Sequence, residues 1–242
     1  MLTALVYNKE KGLVKVDAHE RIPEYLKNPR NLLWLDITNP AEDDIDMMVE
    51  TFEFHQLAIE DSIFPQNQPK LDDYGEYLFL VIHAMTLLPG KAHKILAREL
   101  NIYVGKNYIM TVHGGDMPPV AKLFQKCQGN PVPLQQGTGF LLHAVIDNVD
   151  QLEDRIEVVE DQVLAGADHS ILESIVELKK SVLTLRNFLA PQRRLLSLLS
   201  RATTPFIRRS MAAYFRDVYD HVERVNNLVD TCRDILNSTM EA

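Results

Sequence analysis

Asp217, Asp220 and His221 sit close together in the stretch YFRDVYDH, residues 214–221. Carboxylates and an imidazole are the side chains that ligate cations. On a helix, Asp217 and His221 are four residues apart and share a face. A lone Asp/His pair at that spacing is also an ordinary structural hydrogen bond. A second acidic pair, Glu60 and Asp61, lies in AIEDSIF. Neighbours on a helix point about 100° apart, so these two would chelate one ion poorly but could serve two adjacent ions. A solvated helix face is the competing explanation.

The third acidic feature is a run. Between residues 140 and 166 stand Asp147, Asp150, Glu153, Asp154, Glu157, Glu160 and Asp161, against Arg155 as the one base. With Leu142 at heptad position a, Asp147, Asp154 and Asp161 fall at f, and Asp150 and Glu157 at b, opposite the apolar seam. Like charges at this spacing repel by roughly 0.2–0.5 kcal/mol per pair, and salt screens much of it. Two readings stay open: a solvated face, or a surface that draws in divalent cations.

Other chemistry finds no residues. The chain has no GxxxxGK[ST] loop, no strand–GxGxxG–helix, no HExxH and no GxSxG. The eight histidines are scattered, and His83 falls in an apolar strand, where a hydrogen-bonded core role is expected. The expectation is a protein that is not an enzyme.

The elements that must position the acids change character along the chain. LTALVY and LVKV read as strands around a hairpin break, and LLWLDIT as a buried strand. NPAEDDIDMMVETF predicts a helix capped by Asn39, with Pro40 at its first position and Asp43 and Asp44 at its positive end. HQLAIEDSIF predicts a second helix, ended by Pro65. EYLFLVIHAMTL, ILARELNIYVG and YIMTVH read as strands, with GKN as a tight turn, and PVAKLFQKC starts a short helix.

QGNPVPLQQGTG (128–139) is the best boundary. Beyond it the apolar period becomes 3.5: Leu142 to Val163, Ile171 to Leu189 with a kink expected at Pro191, and Phe215 to Leu236. Three heptad helices predict helical packing and self-association, or a simple three-helix bundle. The last helix meets no Gly or Pro terminator and reads as cut rather than completed.

Composition is that of a globular protein: 242 residues, 46% hydrophobic, 24% charged. A net charge of −9 excludes a basic footprint for nucleic acid and suits cations as partners. Cys127 and Cys232 match no ligand or redox spacing, which fits a reducing compartment. No signal peptide is visible, and the longest apolar run, near YLFLVIHAM, is about half of the roughly 20 residues a spanning helix needs.

Four blocks in order carry a resemblance: LWLDITNP (33–40), LAIEDSIFPQNQPKLDDYGEYLFLVI (57–82), LLHAVIDNVDQLEDRIE (141–157) and FRDVYDHVERVNNLVDTCRDIL (215–236). Together they resemble the cytoplasmic part of the CorA-type magnesium and cobalt transporters, over nearly the whole chain. FRDVYDH is the most specific element and EDSIF…PK the next. The resemblance implies an α/β/α sandwich followed by long helices: 1–135 an α/β domain, 136–204 a long helical hairpin, 205–242 the start of a stalk helix truncated before the membrane.

It also implies a homopentameric channel on the cytoplasmic face of the cell inner membrane, reaching the bilayer only through a C-terminal segment absent here. By position, Asp61 and Asp217 match the family's main intersubunit divalent-cation site. Glu60 and Asp147 match a second, nearby site, and Asp220 and His221 are possible additional ligands. Mg²⁺ is the implied ion, with Co²⁺ or Zn²⁺ as alternatives. One departure is Gln68 before the Pro69-Lys70 pair, where the family often has a basic residue. The competing readings are a zinc-transporting branch of the same superfamily and a soluble oligomeric scaffold with no ion role, with a metal-dependent hydrolase further off.

Overall fold

A computed structural model describes residues 1–64, 67–88, 91–150, 172–201 and 204–241 of the chain. The strands are β1 (Leu2–Asn8), β2 (Gly12–Val16), β3 (Asn31–Thr38), β4 (Lys70–Asp73), β5 (Leu78–Leu88), β6 (Lys91–Val104) and β7 (Tyr108–His113). They form one seven-stranded sheet in the order β2-β1-β3-β7-β6-β5-β4. Only β3 and β7 pair in parallel; the other neighbours are antiparallel. The helices are α1 (Ile22–Leu26), α2 (Glu42–Glu50), α3 (Gln56–Ile63), α4 (Pro118–Gly129), α5 (Val132–Gln135), α6 (Thr138–Val149), α7 (Leu172–Leu199) and α8 (Ala212–Glu241).

Strand alternation divides the sheet into two apolar faces. Leu33, Leu35, Ile37, Phe79, Val81, Tyr103 and Met110 pack with Met48, Ala58 and Ile59 of α2 and α3. Leu32, Trp34, Leu80, Ile82, Ile102 and Ile109 face the other way, against α4, α6, α7 and α8. Helices therefore cover both faces, and the architecture is the expected α/β/α sandwich with long C-terminal helices.

Two local expectations are corrected. Asn39 does not cap α2: its backbone is left-handed (φ 49) and its side-chain oxygen accepts from Gly115 N at 2.8 Å. The helix begins instead after Ala41, whose N–H donates to the Asp44 carboxylate at 2.9 Å. Asp44 is buried, and His19 Nε2 lies 2.7 Å from it, so one carboxylate fastens α2 to the turn before α1. Strand β4 is absent from the sequence reading. KLDD has no apolar alternation, and its extended form follows from pairing with Leu78–Val81 at the sheet edge.

Among the long helices, Val182, Leu185, Leu189, Phe215, Val218, Val222, Val225, Val229 and Cys232 are buried in the common core, as the heptads require. Helix α7 runs unbroken past Pro191. Arg186 pairs with Asp230 at 3.3 Å and Arg193 with Glu223 at 3.2 Å; the crossed numbering makes α7 and α8 antiparallel. The expected continuation of the heptads to Val163, with Glu153, Asp154, Glu157, Glu160 and Asp161, lies outside the described residues. Among the described residues no helix is long and apolar enough to cross a membrane.

Candidate metal centre

Helix α3 presents the first acidic pair. His55 caps it, Nδ1 accepting from Leu57 N at 3.2 Å. Its inner face is Ala58, Ile59 and Ser62, held by Tyr103 Oη, which donates to Ala58 O at 2.6 Å and lies 2.8 Å from Ser62 Oγ. Once that face is fixed, Leu57, Glu60, Asp61 and Phe64 must turn outward. Leu57 and Phe64 are 58% and 69% exposed, an apolar frame on either side of two carboxylates.

The two acids differ. Glu60 is exposed and accepts from Gln56 Nε2 at 2.8 Å. The Asp61 side chain is one-quarter exposed and already holds a cation: Lys70 Nζ lies 2.6 Å from its Oδ2. Lys70 also reaches Asp72 at 3.0 Å and sits over the Phe79 ring. Partial burial pulls the Lys70 ammonium down, but the hydrogen bonds and charges of Asp61 and Asp72 outweigh it and raise its pKa.

The second acidic group lies where α6 crosses α8. Asp147 and Asp217 are both exposed, as their f and c positions predict. Between them is His143, four residues before Asp147, with its ring at 5.3 Å from that of Tyr214 and 6.0 Å from that of Phe215. Burial lowers the His143 pKa, while the charges of Asp147 and Asp217 oppose the shift, so both carboxylates act on one imidazole. Sequence reasoning missed this histidine; its signal was the four-residue spacing to Asp147.

Asp220 is exposed on α8. His221 lies on α8 beside Asp150, with Nδ1 3.2 Å from Asp150 Oδ2. The expectation that Asp150 lies opposite the apolar seam is wrong: the residue is 1% exposed. It is the C-cap of α6, where helical phase ends, so a heptad letter counted from Leu142 no longer fixes its side. Its other oxygen accepts from Gln192 Nε2 at 3.3 Å, and Gln192 Oε1 accepts from His83 N at 3.0 Å. Asp150 therefore ties α6, α7, α8 and β5 together. Burial raises its pKa to about 6, with the His221 bond working against the rise.

The chain thus carries two separate groups of oxygen donors, Glu60 with Asp61 on α3 and Asp147 with Asp217 on α6 and α8. Among the described residues no three His, Cys, Asp or Glu side chains are grouped to hold a metal ion. Each group supplies one or two exposed carboxylates, a donor set that fits a hard, partly hydrated ion such as Mg²⁺.

Residues 30–242 match the protein family described as CorA-like Mg²⁺ transporter protein. The chain is 27% identical over 220 residues to the cobalt/magnesium transport protein CorA of Thermotoga maritima, covering 86% of this chain and 62% of that protein. It is 23% identical over 251 residues to the protein of the same name from Methanocaldococcus jannaschii, covering 100% of this chain and 77% of that one. The first of these relatives is longer, and the chain spans less than two thirds of it. In fold, the chain superposes on the soluble domain of CorA from M. jannaschii with a TM-score of 0.77 and 21% identity, over 98% of this chain and 95% of that domain.

Proposed function

The chain belongs to the CorA-like Mg²⁺ transporter family, and from that premise we propose that it is the cytoplasmic regulatory part of a homopentameric Mg²⁺/Co²⁺ channel. In this reading residues 1–135 form the α/β domain, 136–204 the helical hairpin and 205–242 the stalk. It senses the ion at sites completed between copies. The observation that carries the reading is the separation of the two donor groups: neither makes a metal cage alone, and both face outward.

Asp61 of one copy and Asp217 of the next would share one hydrated ion, with Glu60 and Asp147 serving a second ion nearby. Few protein ligands and several retained waters make each site weak, as sensing of an abundant cytosolic ion requires. With the ion present, the carboxylates are bridged. Without it they repel by about 1 kcal/mol at 4 Å in water, more at lower effective dielectric, repeated at every interface. Ion occupancy then favours a symmetric closed state, and ion loss releases it.

Carboxylate donors favour a hard ion over Zn²⁺ at these sites. The test is limited proteolysis across a Mg²⁺ titration. Mg²⁺ should protect the parent protein, and Asp217→Ala should abolish the metal-dependent part of that protection. Protection that persists unchanged in Asp217→Ala removes the gating role from this residue.

A further inference from the structure

A cleft of about 800 Å³ opens where the segment before β4, the loop after β7 and helix α7 meet the β5–β6 strands. Its walls are Asn67 before β4, His83 of β5, Glu99 of β6, the Gly114–Asp116 loop after β7, and Phe188 of α7. This is the carboxyl end of β7, one member of the single parallel pair, where open α/β sheets bind ligands. His83 and Glu99 are direct cross-strand partners in the β5–β6 register.

Two features of the pair are unusual. The Glu99 side chain is only 5% exposed. It accepts from Asn67 N at 3.0 Å, Asn67 Nδ2 at 3.2 Å and Asn101 Nδ2 at 3.1 Å, all neutral amides. No lysine or arginine described lies within ion-pair distance of it; the neighbouring Arg98 donates to Asp116 O instead. A carboxylate buried without a cation is costly.

The second feature is His83, 4% exposed, whose Nδ1 has no hydrogen-bond partner. Its Nε2 stands 4.0 Å from Glu99 Oε2, too far for a hydrogen bond. The ring packs on Phe188 with centroids 4.2 Å apart, which holds it in the cleft wall. Asn101 Oδ1, beside Glu99, is also buried without a partner.

We propose that this cleft is a second kind of cation site, in which His83 and Glu99 together ligate a late first-row divalent cation of the Co²⁺, Ni²⁺ or Zn²⁺ class, with water completing the shell. Two bonds of about 2.0–2.2 Å to one tetrahedral or octahedral ion hold their donor atoms about 3–3.5 Å apart, so the 4.0 Å gap must close by roughly 0.5–1 Å for one ion to bond both. Side-chain rotation toward the cleft supplies that closure. It supplies the positive charge Glu99 lacks, and the three amides fix the carboxylate from behind, as outer-shell partners do.

Imidazole selects this class over Mg²⁺, which prefers oxygen throughout. The site does not depend on the intersubunit reading of Asp61 and Asp217, and the two can fail separately.

Crystals of the protein equilibrated with Co²⁺ and measured at the cobalt edge should show an anomalous peak bonded to His83 and Glu99. In solution, Co²⁺ should give a visible ligand-field band that survives Asp61→Ala and Asp217→Ala. Folded His83→Gln and Glu99→Gln should each weaken that Co²⁺ binding at least roughly tenfold. If either variant fails to fold, the anomalous map of the parent protein decides alone. A cleft holding water only, or a Co²⁺ band unchanged in a folded His83→Gln protein, overturns the site.

Discussion

The ammonium of Lys70 lies 2.6 Å from Oδ2 of Asp61, so a side chain of the same copy already neutralises the carboxylate proposed to take a divalent ion. Any ion arriving at Asp61 must share it with Lys70 or displace it. Lys70→Met keeps the packing over Phe79 and removes the competitor. Divalent affinity at this site should rise by about 1 kcal/mol, roughly fivefold, measured by Mg²⁺ calorimetry. Unchanged affinity in Lys70→Met would mean that Asp61 is not a ligand.

Asp150 makes stability depend on pH. Its folded pKa, about 6, lies above the ordinary 3.8, so the folded state holds the proton more tightly than the unfolded chain. The stability this contributes is fully present below about pH 4 and is lost as pH rises through 6. Asp150→Asn cannot ionise. Relative to the parent protein it should gain up to roughly 3 kcal/mol between about pH 4 and pH 8, read from urea unfolding at each pH. A pH-independent difference would show that Asp150 is ionised at no cost.

The turn between β6 and β7 depends on a missing side chain. A Cβ on Gly105 would meet the ring of Tyr108 at 2.1 Å. That ring cannot retreat, because it packs edge-on against Phe52 with centroids 4.9 Å apart. Gly105→Ala should cost about 1–3 kcal/mol of unfolding free energy by overpacking. An equal midpoint in denaturant for both proteins would contradict this packing.

Cys127 should be inert. Burial pushes its thiol up to about 11, against the pull of the neighbouring Lys126 charge. At pH 8 its thiolate fraction is about two orders of magnitude below that of a free cysteine. Mass spectrometry after iodoacetamide treatment should find Cys127 unmodified in native protein and alkylated in urea.

The strands of the sheet core and helix α3 were legible because each had a clean period and a terminator: Leu32–Thr38 as an apolar run, Gln56–Ile63 stopped before Pro65. Asp147 and Asp217 were placed on exposed faces by heptad phase alone. Failures came where tertiary contact decides. Asn39 has a capping side chain, but Gly115 from the far end of β7 claims it. KLDD is extended only because β5 lies beside it. Asp150 left its heptad phase because α6 ends there, and no local pattern announced that His221 lay across from it. The Lys70–Asp61 and His83–Glu99 pairs span an edge strand and a hairpin register that the sequence does not print.

The central claim is that carboxylates on separate copies of the chain share a divalent ion. Sedimentation velocity across a Mg²⁺ titration tests it most directly, with the parent protein beside Asp61→Ala and Asp217→Ala. Mg²⁺ should shift the parent to a larger species, and neither variant should follow. A parent sedimentation coefficient indifferent to Mg²⁺, or variants that respond as the parent does, would contradict it.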